Sequence, residues 1–305
     1  MIYHRLSPQP SHNFIETRSQ GNYKFINPLI ECDAANFNED ITLANLKKEI
    51  QFYLSTQINI HKIDFASIYY RDLNNGPWFG INSDELFSPS SLMKIPIMMA
   101  YYKLADTDPS ILQKTLSYTQ TYDYSYQNVI PQITLTPQQK YTVEELIEHM
   151  IIYSDNAAYT LLNDNLDTKS ALQIYSDLNI DISKGFTDPN GDIISVKSYA
   201  SFFRILYNSS YLSPAASEKA LTLLSQSKFI DGLVAGVPKN ISIAHKFGER
   251  LYLDDNQRQL HDCGVVYLPH KPYLLCIMTR GKNFDNLTST IKNISSLVYQ
   301  HFSSL

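Results

Sequence analysis

The segments with strand character lie at the two ends of this 305-residue chain, and a helical block separates them. Near the front, Lys62 to Tyr70 is rich in Ile, Phe and Tyr. Asn74-Asn75-Gly76 then reads as a hairpin turn into a second strand through Trp78 and Phe79. At the back, Ser242 to Glu249, His261 to Leu268 and Tyr273 to Thr279 read as three more. Helical periodicity fits Ser91 to about Ala105, then about 155–164, 168–178, 195–208 and 213–226. Thr142-Val143-Glu144-Glu145 is a capping box that opens a further helix ending near Tyr153. Two amphipathic helices frame the whole. One lies over about 42–56 with Leu43, Leu46, Ile50 and Leu54 on one face, the other over about 284–302 with Ile291, Ile294, Val298 and Tyr299. Strands from both ends share one sheet only if the chain folds back on itself. The predicted class is therefore α+β: a five-stranded antiparallel sheet flanked by terminal helices, with an all-helical subdomain inserted and a cleft along the seam.

Residues 1–40, rich in Asn, Pro and Ser, are expected to form an irregular segment on the surface. The folded domain then covers 41–305, its α/β part being 41–107 and 229–305 and its helical part 108–228. With 44% hydrophobic and 18% charged residues, the chain has enough apolar material for a sizeable core. A net charge of −5 and a pI near 5.9 argue against nucleic acid as a partner, and Lys47-Lys48 is no more than a solvated helix face. No apolar run reaches the length of a membrane span, and the residues after Met1 form no signal peptide. The 22 tyrosines are read as core edges and surface. Cys32, Cys263 and Cys276 make no disulfide framework. A tight turn over Pro269-His270-Lys271-Pro272 would set Cys263 diagonal to Cys276, so buried free thiols are expected.

Three short stretches carry the chemistry: Ser91-Leu92-Met93-Lys94, Ser154-Asp155-Asn156 and Lys246-Phe247-Gly248. A serine hydroxyl is a weak nucleophile until something takes its proton. At a helix N-terminus, Ser91 would sit where backbone N–H groups favour developing negative charge. Lys94, three residues on, lies on the same face. An ordinary lysine, with a pKa of about 10.4, is no base at neutral pH, but burial beside a second positive charge such as Lys246 would lower that value. Alone, an S-x-x-K pair reads more readily as a capping serine with an exposed lysine; the other two stretches reverse that preference.

The order of the three stretches and their spacing, 63 residues from Ser91 to Ser154 and 92 from Ser154 to Lys246, resemble the serine β-lactamase and penicillin-binding protein superfamily. The likeness is closest to class A β-lactamase-like serine hydrolases and runs from about residue 60 to the C-terminus. The context Phe87-Ser88-Pro89-Ser90-Ser91-Leu92-Met93-Lys94-Ile95-Pro96 follows that family's F-x-P-x-S-x-x-K-x-P. The resemblance implies the β-lactamase/transpeptidase fold, with 41–305 as the catalytic domain. It makes Ser91 the nucleophile, Lys94 the base and Ser154 the proton relay. Asn156 would hold the substrate's amide carbonyl, and Lys246 would face a substrate carboxylate. Gly248 would let the substrate backbone approach, and the backbone N–H groups of Ser91 and Glu249 would form the oxyanion hole. Asp155 is read as structural. No cofactor and no metal are implied.

Two departures qualify this. Phe247 stands where the family has a threonine or serine whose hydroxyl helps bind a carboxylate; losing such a bond costs about 1.5–3 kcal/mol. The loop after S-D-N is short and lacks the family's E-x-x-L-N stretch, which supplies the glutamate that activates the deacylating water. Asp188 and Asp192 are acids near that place, but Asp188-Pro189-Asn190-Gly191 is a strong turn sequence. An acyl-enzyme is therefore expected to form and linger. His245 is read as packed or on the surface, since it should point away from Lys246, and Asp262 is expected to pair with Arg250. Three functions follow: a slow β-lactamase, a D,D-peptidase acting on peptidoglycan stem peptides, or a degenerate binding domain of the same fold. The implied partner is a small molecule or peptide, the implied state a monomer. The implied location is extracytoplasmic, with an export segment or anchor outside these residues.

Overall fold

The computed structural model describes residues 16–18, 21–32, 43–74, 76–183 and 191–303. In chain order the first elements are β1 (Glu16–Arg18), β2 (Leu29–Cys32), α1 (Ala44–Asn59), β3 (Phe65–Asp72), β4 (Trp78–Ile81) and β5 (Leu86–Phe87). A single 3-10 turn, Ser90–Met93, leads into α2 (Lys94–Ala105). Then come β6 (Thr115–Tyr118), β7 (Gln139–Thr142), α3 (Val143–Ile152), α4 (Asn156–Asp164) and α5 (Thr168–Asp177). The remainder is β8 (Ile194–Ser195), α6 (Val196–Tyr207), α7 (Pro214–Leu224), β9 (Ile243–Leu251), β10 (Arg258–Val266), β11 (Tyr273–Gly281) and α8 (Phe284–Ser303).

Five strands form one antiparallel sheet in the order β4-β3-β11-β10-β9, so strands from both ends of the chain meet where β3 pairs with β11. The class is α+β, as the order of strand and helix segments implies. Each face of the sheet carries its own core. On one, Leu46, Ile50 and Leu54 of α1 and Ile291, Ile294 and Val298 of α8 pack with Ile68, Tyr70, Leu275 and Ile277. On the other, Met98 and Met99 of α2 and Tyr199, Phe202 and Phe203 of α6 pack with Tyr69, Val265, Leu274 and Met278. Burying one such side chain contributes roughly 1.5–3 kcal/mol, which is what holds the helical block to the sheet. β9 is an edge strand, and the Ser90–Met93 turn packs against it. The site lies along that edge.

Two expectations change. Cys263 and Cys276 are not diagonal: they sit directly opposite on β10 and β11 and are joined by a disulfide. The connection from Val266 to Tyr273 is longer than the tight turn assumed, and two residues of register separate the two pairings. Within the stretch read as irregular, β1 and β2 pair antiparallel; residues 1–15 and 33–42 and Asn75 of the hairpin turn lie outside the described residues. Among the described residues no helix is long and apolar enough to cross a membrane.

Candidate active site

Three elements converge on the end of α2. Pro96, in the first turn of that helix, loses nothing by lacking an N–H there, and the turn before it closes through Leu92 N–H donating to Pro89 O at 2.8 Å. Ser88, at the start of this run, is held on three sides. Its N–H donates to Gln259 Oε1 (3.0 Å), its carbonyl lies 3.0 Å from His261 Nε2, and its hydroxyl accepts from Arg250 (2.8 Å). Burial pushes His261 down to about 3, so its imidazole is neutral and Nε2–H is the donor to that carbonyl. Ser90 adopts φ +49°, at a cost of order 1 kcal/mol for a non-glycine residue, and Ser91 follows it, partly exposed. Lys94 is 1% exposed.

The Lys94 amine has four oxygens within reach: Ser91 Oγ at 2.9 Å, Ser154 O at 2.6 Å, Ser154 Oγ at 3.1 Å and Asn156 Oδ1 at 2.6 Å. Burial, then the charge of Lys246, holds its pKa well below that of an ordinary lysine. Ser154 sits between α3 and α4 in the left-handed region at φ +56°, which turns its hydroxyl back toward both lysines. Asp155 caps α4: its carboxylate accepts from Ala157 N (2.8 Å), Tyr124 OH (2.7 Å) and Leu135 N (3.3 Å). It is fully buried and serves the loop.

Lys246 of β9 completes the group. It is 0% exposed, donates to Ser154 Oγ at 2.8 Å and to Phe247 O at 2.9 Å, and burial pushes it down to about 7. The Phe247 ring stacks on Phe229 with centroids 4.3 Å apart, and the Lys246 amine lies 4.3 Å from the Phe247 ring centre. Gly248 faces the nucleophile turn. A Cβ there would stand 3.0 Å from Pro89 O and 3.2 Å from Leu92 N, so its hydrogen side chain admits the turn against β9 as well as any substrate. The Glu249 carboxylate reaches across to the segment after β6, accepting from Asn128 N (3.1 Å), Asn128 Nδ2 (2.6 Å) and Val129 N (2.9 Å). A cavity of about 330 Å³ opens in front of Ser91, lined also by Lys94, Asn156, Tyr159, Glu249 and Arg250.

A serine at an open cavity, with two buried lysines and a bridging hydroxyl behind it, is an arrangement able to activate that serine. A profile of the Beta-lactamase enzyme family matches residues 45–302. The chain belongs to that family. Among solved structures it is similar to PBP-A, at 24% identity and a TM-score of 0.70 over 86% of this chain and 97% of that one. It is also similar to a PBP-A mutant solved as an acyl-enzyme complex with penicillin G, at 25% identity and a TM-score of 0.68 over 86% and 98%. A class A β-lactamase from Mycobacterium abscessus matches at 20% identity and a TM-score of 0.69 over 83% and 99%. Among curated proteins nothing matches.

In this β-lactamase family member, Ser91, Lys94, Ser154, Asn156 and Lys246 come together. Phe247 lies under the group rather than in the cavity wall. Asp262 does not pair with Arg250. It sits opposite Phe247, on the face that carries His245, lies 2.8 Å from His245 Nδ1 and accepts from Leu233 N at 2.9 Å. Arg250 is on the other face, since side chains alternate along β9. Asp192 is bound to Arg280 (2.8 Å) and Gln259 (3.0 Å), away from the cavity, and Asp188 lies outside the described residues. Sequence reasoning missed Arg250 and Tyr159 as wall residues. Tyr159 was detectable, three residues after Asn156 on the same face of α4. Among the described residues no cluster suited to a metal is present.

Proposed function

We propose that this protein is a serine acyl-transfer enzyme in which Ser91 attacks the carbonyl of a β-lactam or related amide and Lys94 takes its proton. The single observation that carries the reading is the Lys94 amine 2.9 Å from Ser91 Oγ, buried and beside a second lysine. A neutral amine has two N–H groups and one lone pair. Ser154 O and Asn156 Oδ1, which only accept, take both N–H groups at 2.6 Å, and the lone pair is left for the Ser91 hydroxyl. The proton then passes from Lys94 to Ser154 Oγ, which also accepts from Lys246 and so keeps its own hydrogen for the leaving nitrogen.

The oxyanion hole is assigned to the N–H groups of Ser91 and Glu249. Phe247 O faces the Lys246 amine rather than β10, and the two-residue alternation of a strand turns Glu249 N–H the same way. Asn156 Nδ2 remains for the substrate's amide carbonyl. The family and the penicillin-derived acyl-enzyme of the PBP-A mutant support β-lactams as acyl donors.

Among the described cavity residues the one carboxylate is Glu249, already engaged by Asn128 and Val129, so slow deacylation is part of the proposal. That feature also favours the second reading, a D,D-peptidase or penicillin-binding enzyme whose acyl group passes on from a stem peptide. The buried Lys246, packed against the Phe247 ring, is what favours the third, a binding domain without turnover. An extracytoplasmic location fits both the family and the Cys263–Cys276 disulfide.

Acylation by benzylpenicillin, followed by intact mass across pH 5–10, tests the base. Neutral lysine is the active form, so the rate should rise with pH and level off far below 10.5. Lys94→Arg, which holds its proton throughout, should lose roughly a thousandfold. A rising limb near 10.5, or a Lys94→Arg rate within tenfold of the parent, overturns Lys94 as base.

A further inference from the structure

We infer that Arg250 is a specificity-determining residue that selects acyl donors bearing a carboxylate on the acyl side chain; the inference rests on the acyl-enzyme reading above. The cation that the motif would offer a substrate anion is Lys246, and it is enclosed. It has no exposed surface, its N–H groups go to Ser154 and Phe247, and the Phe247 ring lies against it. Arg250 does reach the cavity that holds Ser91.

Its position along the strand says which part of a substrate it meets. Lys246, Gly248 and Arg250 share one face of β9 by alternation. The Lys246 end, with Ser154, is where the leaving nitrogen is protonated, and Glu249 N–H marks the oxyanion. Arg250 lies beyond it, about 13 Å along the strand from Lys246 at roughly 3.3 Å per residue. A substrate laid along this edge therefore presents its acyl portion to the guanidinium.

The guanidinium is also held for the purpose. It donates to Ser88 Oγ at 2.8 Å and stacks over the Tyr252 ring at 4.7 Å, so little freedom remains to be lost on binding. Five N–H donors in a rigid fork suit a carboxylate better than a lysine does. The competing acid, Glu249, lines the same cavity but spends both oxygens on Asn128 and Val129. Asp192, another acid among the described residues, is bound to Arg280 and Gln259. Among the described residues, Ser90, Tyr122, Tyr159 and Thr160 also line this cavity and carry no charge.

Carbenicillin is benzylpenicillin with one added carboxylate on the benzylic carbon, so the pair isolates the interaction. Second-order acylation rates for both drugs are measured by intact mass on the parent, Arg250→Ala and Arg250→Lys. The parent should prefer carbenicillin by roughly tenfold, the ratio should collapse toward one in Arg250→Ala, and Arg250→Lys should keep part of it. A ratio that Arg250→Ala leaves intact, or two rates that fall together, overturns the inference while the acyl-enzyme reading stands. No adduct from either drug overturns both.

Discussion

Phe247 shows how one side chain changes the use of another. With its ring on Phe229 and against the Lys246 amine, it helps hold that amine on Ser154 Oγ and on its own backbone carbonyl. Phe247→Thr should cost about 2–4 kcal/mol in a urea melt, because a buried ring leaves a cavity beside Phe229. It should also raise the rate of acylation by benzylpenicillin, because the amine released from the ring can shift toward the drug's ring carboxylate; an unchanged rate would refute the hold on Lys246 assigned to the ring. At this scale the sequence was legible where residues lie close along the chain. Ser91 and Lys94 are one turn apart, and the geometry of that turn leaves little choice. Arg250 was misread because pairing across a hairpin depends on parity. With Asp262 opposite Phe247, same-face neighbours on β9 carry odd numbers, so His245 is within reach of Asp262 and Arg250 is not. No local pattern shows that until the register is known.

At the scale of elements, the S-D-N stretch is a structural junction as well as part of the candidate site. The Asp155 backbone N–H donates to His149 O at the end of α3, and its carboxylate starts α4 and ties down Tyr124 and Leu135 from the segment between β6 and β7. Asp155→Ala should therefore destabilise the protein by about 2–4 kcal/mol, more than an exposed cap, because it leaves buried donors unmet. Equilibrium denaturation measures this, with Asp155→Asn recovering part; a loss under 1 kcal/mol would contradict the role. Burial raises the Asp155 pKa, but the side chains of His149 and Tyr124 and the N–H groups of Ala157 and Ala158 together outweigh it and lower the value. The stabilisation is thus present above the unfolded value near 4 and disappears as pH falls through the lower folded value. Helix starts were readable from the sequence because caps are local, as in the Thr142–Glu145 box. Strand ends were less so: β9 and β10 run two or three residues further toward their hairpin than the apolar pattern indicated. The Cys263–Cys276 bridge was hidden for the same reason, since a longer connection moved the register by two residues.

For the whole molecule, the cleft exists because a sheet assembled from both chain ends leaves β9 as an edge facing the helical block. Glu249 and Arg258 clasp Asn128 across that edge, so the segment after β6 is fixed to the sheet in front of the site. The fold was legible from the order of strands and helices; the clasp was not, because it joins residues 121 positions apart with no shared pattern. The most direct test of the whole account is intact mass with peptide mapping after mixing with benzylpenicillin. The account predicts a one-drug mass increase on the Ser91 peptide that persists for minutes or longer and is absent in Ser91→Ala. No increase in the folded parent, or an equal increase in Ser91→Ala, would contradict it.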